Sequence, residues 1–241
     1  GGGKGGRAAT DYGALRDEMV DRHIEARGIS SRPVLDAMRK VPRERFVPSG
    51  QESMAYDDTP LPIGEGQTIS QPYIVACMAE ALGLKGGEKV LEVGTGSGYA
   101  AAVLAEIAAE VYTIERIREL AERSARTLEE LGYDNVVVRH DDGATGWPDE
   151  APFDAIVVAA GAPEVPEVLK QQLAIGGRLV IPVGGRLHYQ ELLRITRLGE
   201  HEFVQEDLTA VRFVPLVSRF GWPEDIEPGA GAAGEGEQAA A

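Results

Sequence analysis

A short glycine-rich segment is the strongest candidate for chemistry in this 241-residue sequence. In "VLEVGTGSGYAAAVLAE" (90–106) the acid Glu92 precedes Gly94, Gly96 and Gly98, which have the spacing G-x-G-x-G. Glycines between a strand and a helix allow a tight turn and close approach to a ligand, and the helix N-terminus offers free N–H donors. The dinucleotide fingerprint has a different spacing, G-x-G-x-x-G. The segment therefore predicts a ligand with no phosphate beside the strand end.

Two further acidic positions follow the next two predicted strands. Glu115 stands where a carboxylate can accept hydrogen bonds from two adjacent ribose hydroxyls. Asp142 and Gly143, in "DDG" (141–143), stand where they can meet an adenine amino group. Taken singly, the glycine loop and "DDG" are also compatible with ordinary turns, and Glu115 with a solvated acid at a helix start. Because the carboxyl ends of parallel strands meet at one sheet edge, the three together favour a nucleoside site.

The elements that must position these residues alternate along the chain from residue 88 onward. The predicted strands are 89–93, 111–115, 135–140, 153–160 and 178–184, and the predicted helices are 99–109, 119–131 and 165–173, the last ended by Gly176-Gly177. Such alternation predicts an α/β fold with a mostly parallel, Rossmann-like sheet that helices cover on both faces. Strand patterns without helices continue at 189–199 and 203–216, and we expect them to close the sheet, partly antiparallel.

A helical extension is predicted before this sheet, with apolar residues at helical spacing between residues 12 and 38. A helix is also predicted at 72–83, since Pro72 suits a first turn. Residues 56–71, "YDDTPLPIGEGQTISQ", show no period and predict a long irregular segment. Such segments in compact domains are often functional.

One domain is expected, over residues 10–222, made of an N-terminal part (10–84) and a sheet core (85–222). Residues 1–9 are predicted to be a flexible tail. Residues 223–241 are predicted to be a disordered acidic tail, because so few apolar side chains cannot offset the entropy of ordering.

Composition excludes several classes of protein. With 43% apolar and 26% charged residues the chain can build a core, and a net charge of −15 argues against nucleic acid as the main partner. No apolar run approaches the ~18 residues of a membrane span, and no leader pattern opens the sequence, so we expect a cytoplasmic protein without a membrane partner. The single cysteine, Cys77, cannot form an internal disulfide, and the four histidines show no metal-ligand spacing. We expect no metal site.

The pattern as a whole resembles the S-adenosyl-L-methionine (SAM) methyltransferases, whose first motif is an acid followed by G-x-G-x-G. A more specific stretch, "AYDDTPLPIGEGQTISQPYIVA" (55–76), resembles the signature of the protein-L-isoaspartate O-methyltransferase family. The resemblance spans residues 12–219 and continues through "VPRERFV" (41–47), "VLEVGTGSGY" (90–99), "APFDAIVVAAGAPEVPEVL" (151–169), "GGRLVIPVG" (176–184) and "VRFVPLV" (211–217).

This resemblance implies methyl transfer from SAM to the α-carboxyl of L-isoaspartyl residues in damaged proteins and peptides, leaving S-adenosyl-L-homocysteine. In the family the ester then closes to a succinimide without the enzyme, and part of the succinimide hydrolyses to normal aspartate. The implied partners are therefore damaged proteins and peptides. We expect the enzyme to be a monomer.

The resemblance also assigns residues beyond the glycine loop. It implies that Ser70 is the catalytic residue of an active site lined by the Thr-Ile-Ser motif, and that a segment near the C-terminus holds the substrate. The implied cofactor contacts, just before Ser70, are Gln67, Thr68 and Ile69. The implied substrate contacts, in the segment near the C-terminus, are Phe213, Val214, Pro215 and Leu216. Without the resemblance, Ser70 fits a helix N-cap better; with it, both roles are possible together.

Two other functions stay open at this point. One is a SAM-dependent methyltransferase acting on a different carboxylate or a small molecule. The other is a SAM-binding module without catalysis, or a nucleotide-dependent dehydrogenase on a similar sheet, although the G-x-G-x-G spacing argues against NAD.

Overall fold

A computed structural model describes residues 9–185 and 189–211. Nearly all of the tail predicted at 1–9, all of the tail predicted at 223–241, and the substrate segment 213–216 lie outside the described residues.

A seven-stranded sheet and a separate two-stranded hairpin carry the fold. The strands are β1 (Leu61–Gly64), β2 (Gln67–Ile69), β3 (Lys89–Val93), β4 (Glu110–Glu115), β5 (Val136–His140), β6 (Phe153–Val158), β7 (Leu173–Val183), β8 (Gln190–Arg197) and β9 (Phe203–Val211). The large sheet has the order β5-β4-β3-β6-β7-β8-β9. The five neighbouring strands β5, β4, β3, β6 and β7 pair in parallel. Strand β8 pairs antiparallel with β7, and β9 pairs antiparallel with β8. The predicted mostly parallel sheet with partly antiparallel closing strands is confirmed.

Helices cover both faces of this sheet. They are α1 (Tyr12–Met19), α2 (Arg32–Lys40), α3 (Pro72–Leu82), α4 (Tyr99–Ala105), α5 (Arg118–Glu130) and α6 (Glu167–Gln171). Alternate residues of β3 enter two cores: Val90 packs on the face of α1 to α5, and Leu91 on the other face with Leu169 of α6 and Trp147. Because both faces are covered, the central strands are almost continuously apolar.

The segment predicted as irregular contains the hairpin, so that prediction was wrong over β1 and β2. The two strands pair antiparallel, with Gly64 opposite Gln67. Glu65 and Gly66 form the two-residue turn with φ of 55° and 69°, the signature of a type I′ turn. The run Gly-Glu-Gly was the available signal, but the strands on either side are too short to show a period.

Two boundaries near the end of the sheet also differ from expectation. The glycine pair Gly176-Gly177 was expected to end the preceding helix, but α6 ends at Gln171 and the pair lies within β7. An irregularity in the pairing of β6 with β7, between Phe153 and Ala155, accommodates this longer strand.

The order of the sheet creates the position for a ligand. The chain runs outward from β3 to β4 and β5, then crosses back to place β6 on the other side of β3. Ligands of open α/β sheets bind outside the carboxyl ends of the strands at such a reversal.

The loop after β5 packs directly against the end of β3. A Cβ atom built on Gly143 would lie 2.5 Å from Cγ1 and 3.5 Å from Cβ of Val93, which is buried and β-branched. A stiff side chain at this distance cannot move aside cheaply. Glycine at 143 therefore allows the loop after β5 to pack against the end of β3.

We predict that Gly143→Ala destabilises the protein by about 1–3 kcal/mol through this overlap. The matched control is Gly87→Ala, since Gly87 is exposed and a Cβ there meets nothing within 4 Å. Urea unfolding of both variants checks the prediction, and the control should stay within about 0.5 kcal/mol of wild type. Equal stability of the two variants would contradict it.

Candidate active site

An open cavity of about 110 Å³ lies at the carboxyl ends of β3, β4 and β6. The predicted residues that line it are Gln67, Thr68, Ile69, Ser70, Gly94, Gly96, Glu115 and Gly143. Residues from the hairpin and from three strand ends, far apart in the chain, thus meet around one space.

The glycine loop is fixed by the backbone of β4. The N–H groups of Gly94 and Thr95 both donate to the carbonyl oxygen of Ile114, at 2.8 and 3.2 Å. Gly94, Gly96 and Gly98 have φ of 98°, 54° and 90°, so the loop follows a path that favours glycine. Gly94 and Gly96 reach the cavity, whereas Gly98 is buried at the N-cap of α4 and is not among the lining residues.

Glu115 lies buried on the cavity wall and is not the solvated acid of the alternative interpretation. Its exposed fraction is 7%. Its Oε1 accepts from the Gly96 N–H at 2.8 Å and its Oε2 from the Ile117 N–H at 2.9 Å. Each carboxylate oxygen has two lone pairs, so both can accept one more hydrogen bond. The carboxylate is therefore oriented to receive a pair of hydroxyls.

Glu92 occupies a different place from the one that its position before the loop suggested. It is 1% exposed and lines a smaller adjoining cavity, together with Ser70, rather than the main one. Its Oε1 accepts from the Thr113 hydroxyl at 2.7 Å, and the Thr113 and Thr95 hydroxyls are 2.6 Å apart. Desolvation by burial raises the pKa of Glu92 to about 8, partly opposed by the Thr113 hydrogen bond. At neutral pH this side chain is mostly protonated.

Asp142 stands beside the cavity without being one of its lining residues. Its Oδ1 accepts from the Ala144 N–H at 3.0 Å, which caps the short 3₁₀ turn Gly143–Thr145. In "DDG", Asp142 therefore forms the ordinary turn that was the alternative interpretation. Its contact with an adenine amino group stays a prediction.

Ser70 lines both cavities and does not cap helix α3. The helix begins at Pro72, so its N-cap is Gln71, which makes no side-chain capping bond. The N-cap interpretation of Ser70 was wrong because Ser70 lies one residue too early. Its carbonyl oxygen instead accepts from Nη2 of Arg43 at 2.9 Å.

Sequence reasoning missed two arginines that fix the hairpin segment. Arg43, in the connector after α2, is completely buried. Arg123 of α5 donates from Nη1 to the Ile63 carbonyl of β1 at 2.7 Å. Neither contact is local in sequence, so no periodicity could have indicated it.

The remaining candidates for chemistry are structural. Cys77 is half-buried against the core, and burial raises the pKa of its thiol, which makes it a poor nucleophile. Within residues 9–185 and 189–211, no group of three or more His, Cys, Asp or Glu side chains is arranged to hold a metal ion. No helix in the same described ranges is long and apolar enough to span a bilayer.

Comparison with known proteins relates this geometry to one family. A family model described as protein-L-isoaspartate(D-aspartate) O-methyltransferase matches residues 14–221. The chain is 60% identical over 214 residues to protein-L-isoaspartate O-methyltransferase 1 of Rhodopseudomonas palustris (strain HaA2), covering 89% of this chain and 87% of that protein. It is 59% identical over 213 residues to protein-L-isoaspartate O-methyltransferase 2 of Marinobacter nauticus, covering 88% and 97%.

Solved structures agree with the sequence relatives. A protein-L-isoaspartate O-methyltransferase superposes with a TM-score of 0.77 at 31% identity, covering 85% of this chain and 67% of that one. A Plasmodium falciparum structure described as a protein-L-isoaspartate O-methyltransferase, in complex with S-adenosyl-L-homocysteine, superposes with a TM-score of 0.71 at 28% identity, covering 87% and 99%.

We predict a specific pH dependence of stability from Glu92 in the protein without ligand. Its pKa is about 8 when folded against an ordinary 4.5, so between these values the folded state binds the extra proton. That stabilisation is complete below pH 4.5 and is lost as the pH rises through 8. Relative to Glu92→Gln, wild type should therefore lose roughly 3–4 kcal/mol of unfolding free energy between pH 5 and 8.

Urea unfolding at the two pH values measures this difference. Glu110→Gln, at the exposed start of β4, is the control and should follow wild type at both. An equal change in unfolding free energy between the two pH values for wild type and Glu92→Gln would contradict the raised pKa of Glu92.

Proposed function

The chain belongs to the protein-L-isoaspartate(D-aspartate) O-methyltransferase family, and from that premise we propose how its cavity performs the family's reaction. The enzyme is a SAM-dependent methyltransferase of L-isoaspartyl residues. The observation that carries the proposal is a single cavity with Glu115 on one side and Ser70 on another. We assign nucleoside binding to the first residue and substrate orientation to the second.

The residues at the strand ends fit the nucleoside of SAM. The Glu115 carboxylate, fixed by two backbone N–H groups, retains acceptor capacity for both ribose hydroxyls. Gly143 and the apolar side chains of Ile114 and Ile117 line the same cavity. Among the described lining residues there is no glycine-and-lysine phosphate cradle, which agrees with a phosphate-free ligand.

Methyl transfer to a carboxylate does not require the protein to transfer a proton. SAM supplies a methyl group activated by its sulfonium. The isoaspartyl α-carboxyl has an ordinary pKa of about 4, so it is already an anion at neutral pH and needs no general base. The chain must orient this carboxylate towards the methyl group and keep water away from it.

Ser70 is suited to that orienting role. A neutral hydroxyl can donate one hydrogen bond to a carboxylate oxygen without transferring a proton to it. Ser70 stands where the main cavity adjoins the smaller one, and the residues shared by both cavities besides Ser70 are Val75, Ala100 and Ala159. These apolar side chains exclude water from the space beside the hydroxyl. Residues 213–216, outside the described residues, stay our proposed substrate contacts.

We further propose that the enzyme acts as a monomer in the cytoplasm on damaged proteins and peptides. Support for the compartment comes from Cys77, a single half-buried thiol with no cysteine partner in the sequence.

Methyl transfer to a peptide pair that differs only in aspartyl linkage tests the function and the role of Ser70. Wild type should methylate only the isoaspartyl peptide. Ser70→Ala should lower kcat about 10- to 100-fold, the equivalent of one hydrogen bond to a charged group. Its stability should change by less than about 1 kcal/mol, because Ser70 makes no capping bond.

Thr59→Ala is the matched control for the loss of a hydroxyl in the same segment. Thr59 is exposed and lies outside both cavities, so its loss should leave kcat unchanged. Undiminished activity of Ser70→Ala would remove Ser70 from the mechanism.

Calorimetric titration with S-adenosyl-L-homocysteine tests the role of Glu115. Glu115→Gln replaces a doubly accepting carboxylate by an amide with one acceptor oxygen, and affinity should fall about tenfold. The control is Glu119→Gln in the exposed first turn of α5, which should bind as wild type does. If both variants bind equally, the ribose assignment fails.

A further inference from the structure

Arg43 is a buried cation without a buried anion. Its side chain is 0% exposed, and no carboxylate in the described part of the chain lies within salt-bridge distance of it. Burying an arginine in this way costs several kcal/mol unless other contacts compensate. The compensation here is incomplete, because Nη1 has no hydrogen-bond partner.

The guanidinium joins the two ends of the segment that carries the hairpin. Nε donates to the Ala55 carbonyl at 2.6 Å, and Nη2 donates to the Ser70 carbonyl at 2.9 Å. The planar guanidinium fork therefore fixes Ala55, at the start of this segment, relative to Ser70, at its end beside the catalytic cavity.

The same guanidinium also contacts the cofactor side of the cavity. Its central carbon lies 4.7 Å from the centroid of the Tyr99 ring. Tyr99 is the first residue of α4, directly after the glycine loop, and it lines the main cavity. One side chain thus touches both the Ser70 backbone and the helix that follows the cofactor loop.

The arginine is itself held in place by its neighbours. The backbone N–H of Arg43 donates to the Tyr56 hydroxyl at 3.1 Å. That hydroxyl accepts from Nε of Arg16 at 2.9 Å and donates to Glu44. The orientation of the fork is therefore set from outside the cavity.

We propose that Arg43 is a positioning residue for methyl transfer, which fixes Ser70 relative to the cofactor through the Ser70 carbonyl and the Tyr99 ring. The inference rests on the proposed role of Ser70. A displacement of the hydroxyl by about 1 Å, without any loss of folding, would be enough to cost about 100-fold in rate. Arg43 touches neither cavity, so it acts only through its neighbours.

The test is a double-mutant cycle between Arg43→Met and Ser70→Ala, measured as kcat with saturating SAM and isoaspartyl peptide. Arg43→Met alone should lower kcat about tenfold or more and change S-adenosyl-L-homocysteine affinity by less than about threefold. In the Ser70→Ala background the same change should cost less than about twofold, because the oriented hydroxyl is already absent.

Two further variants separate positioning from general destabilisation. Phe46→Leu is the matched control: Phe46 is buried in the same connector and its ring packs 5.7 Å from that of Tyr99, and none of its hydrogen bonds or ring contacts involves Ser70. It should lower Tm but keep kcat within about threefold of wild type. Arg43→Lys preserves the charge but lacks the fork, so its kcat should stay low; the cycle is run on this variant if Arg43→Met does not fold.

The outcomes are distinct. An equal loss from the Arg43 change in both Ser70 backgrounds, or an equal kcat loss in Phe46→Leu at matched Tm, would overturn the positioning role and leave Arg43 a structural residue. Full activity of Ser70→Ala, or no preference of wild type for the isoaspartyl peptide, would instead contradict the proposed function itself.

Discussion

The carbonyl oxygen of Ile114 receives two backbone N–H groups, from Gly94 and Thr95, and the geometry of the site depends on this arrangement. It joins the end of β3 to the end of β4 and turns the glycine loop away from the sheet. Gly96 is thereby brought to Glu115, whose carboxylate binds the loop in return. Strand pairing and ligand site are thus parts of one hydrogen-bond network, and the cavity exists because the sheet order reverses beside β3.

Two glutamates near this network, Glu115 and Glu92, differ in their roles because their surroundings differ. Glu115 accepts two backbone N–H groups, which hold its carboxylate in a fixed orientation on the cavity wall. Glu92 is fully buried beside threonine hydroxyls, and desolvation favours its neutral form. One acid faces the cavity. The other forms part of the wall behind the loop, where a charge would be costly.

The side of the cavity that carries Ser70 is built differently from the side that carries the glycine loop. Main-chain hydrogen bonds between adjacent strands fix the glycine loop, whereas side chains from α5 and from the connector after α2 fix the hairpin segment. Arg123 of α5 binds β1, and Arg43 binds the residue that follows β2. A segment held by a few arginine contacts can present Ser70 with defined geometry without belonging to the sheet.

The sequence by itself determined the elements and the chemistry that local pattern encodes. The strand Lys89–Val93, the helix beginning at Pro72, the glycine loop and Glu115 were found because apolar periodicity, proline and glycine act over a few residues. Only the tertiary structure decided that Glu92 lies behind the loop, that Gln71 rather than Ser70 is the N-cap of α3, that residues 61–69 form a hairpin, and that Arg43 binds the Ser70 carbonyl. These facts depend on contacts between residues far apart in the chain, such as Arg43 with Ser70 and Arg123 with Ile63. The burial and hydrogen bonding that set their roles exist only once the chain has folded.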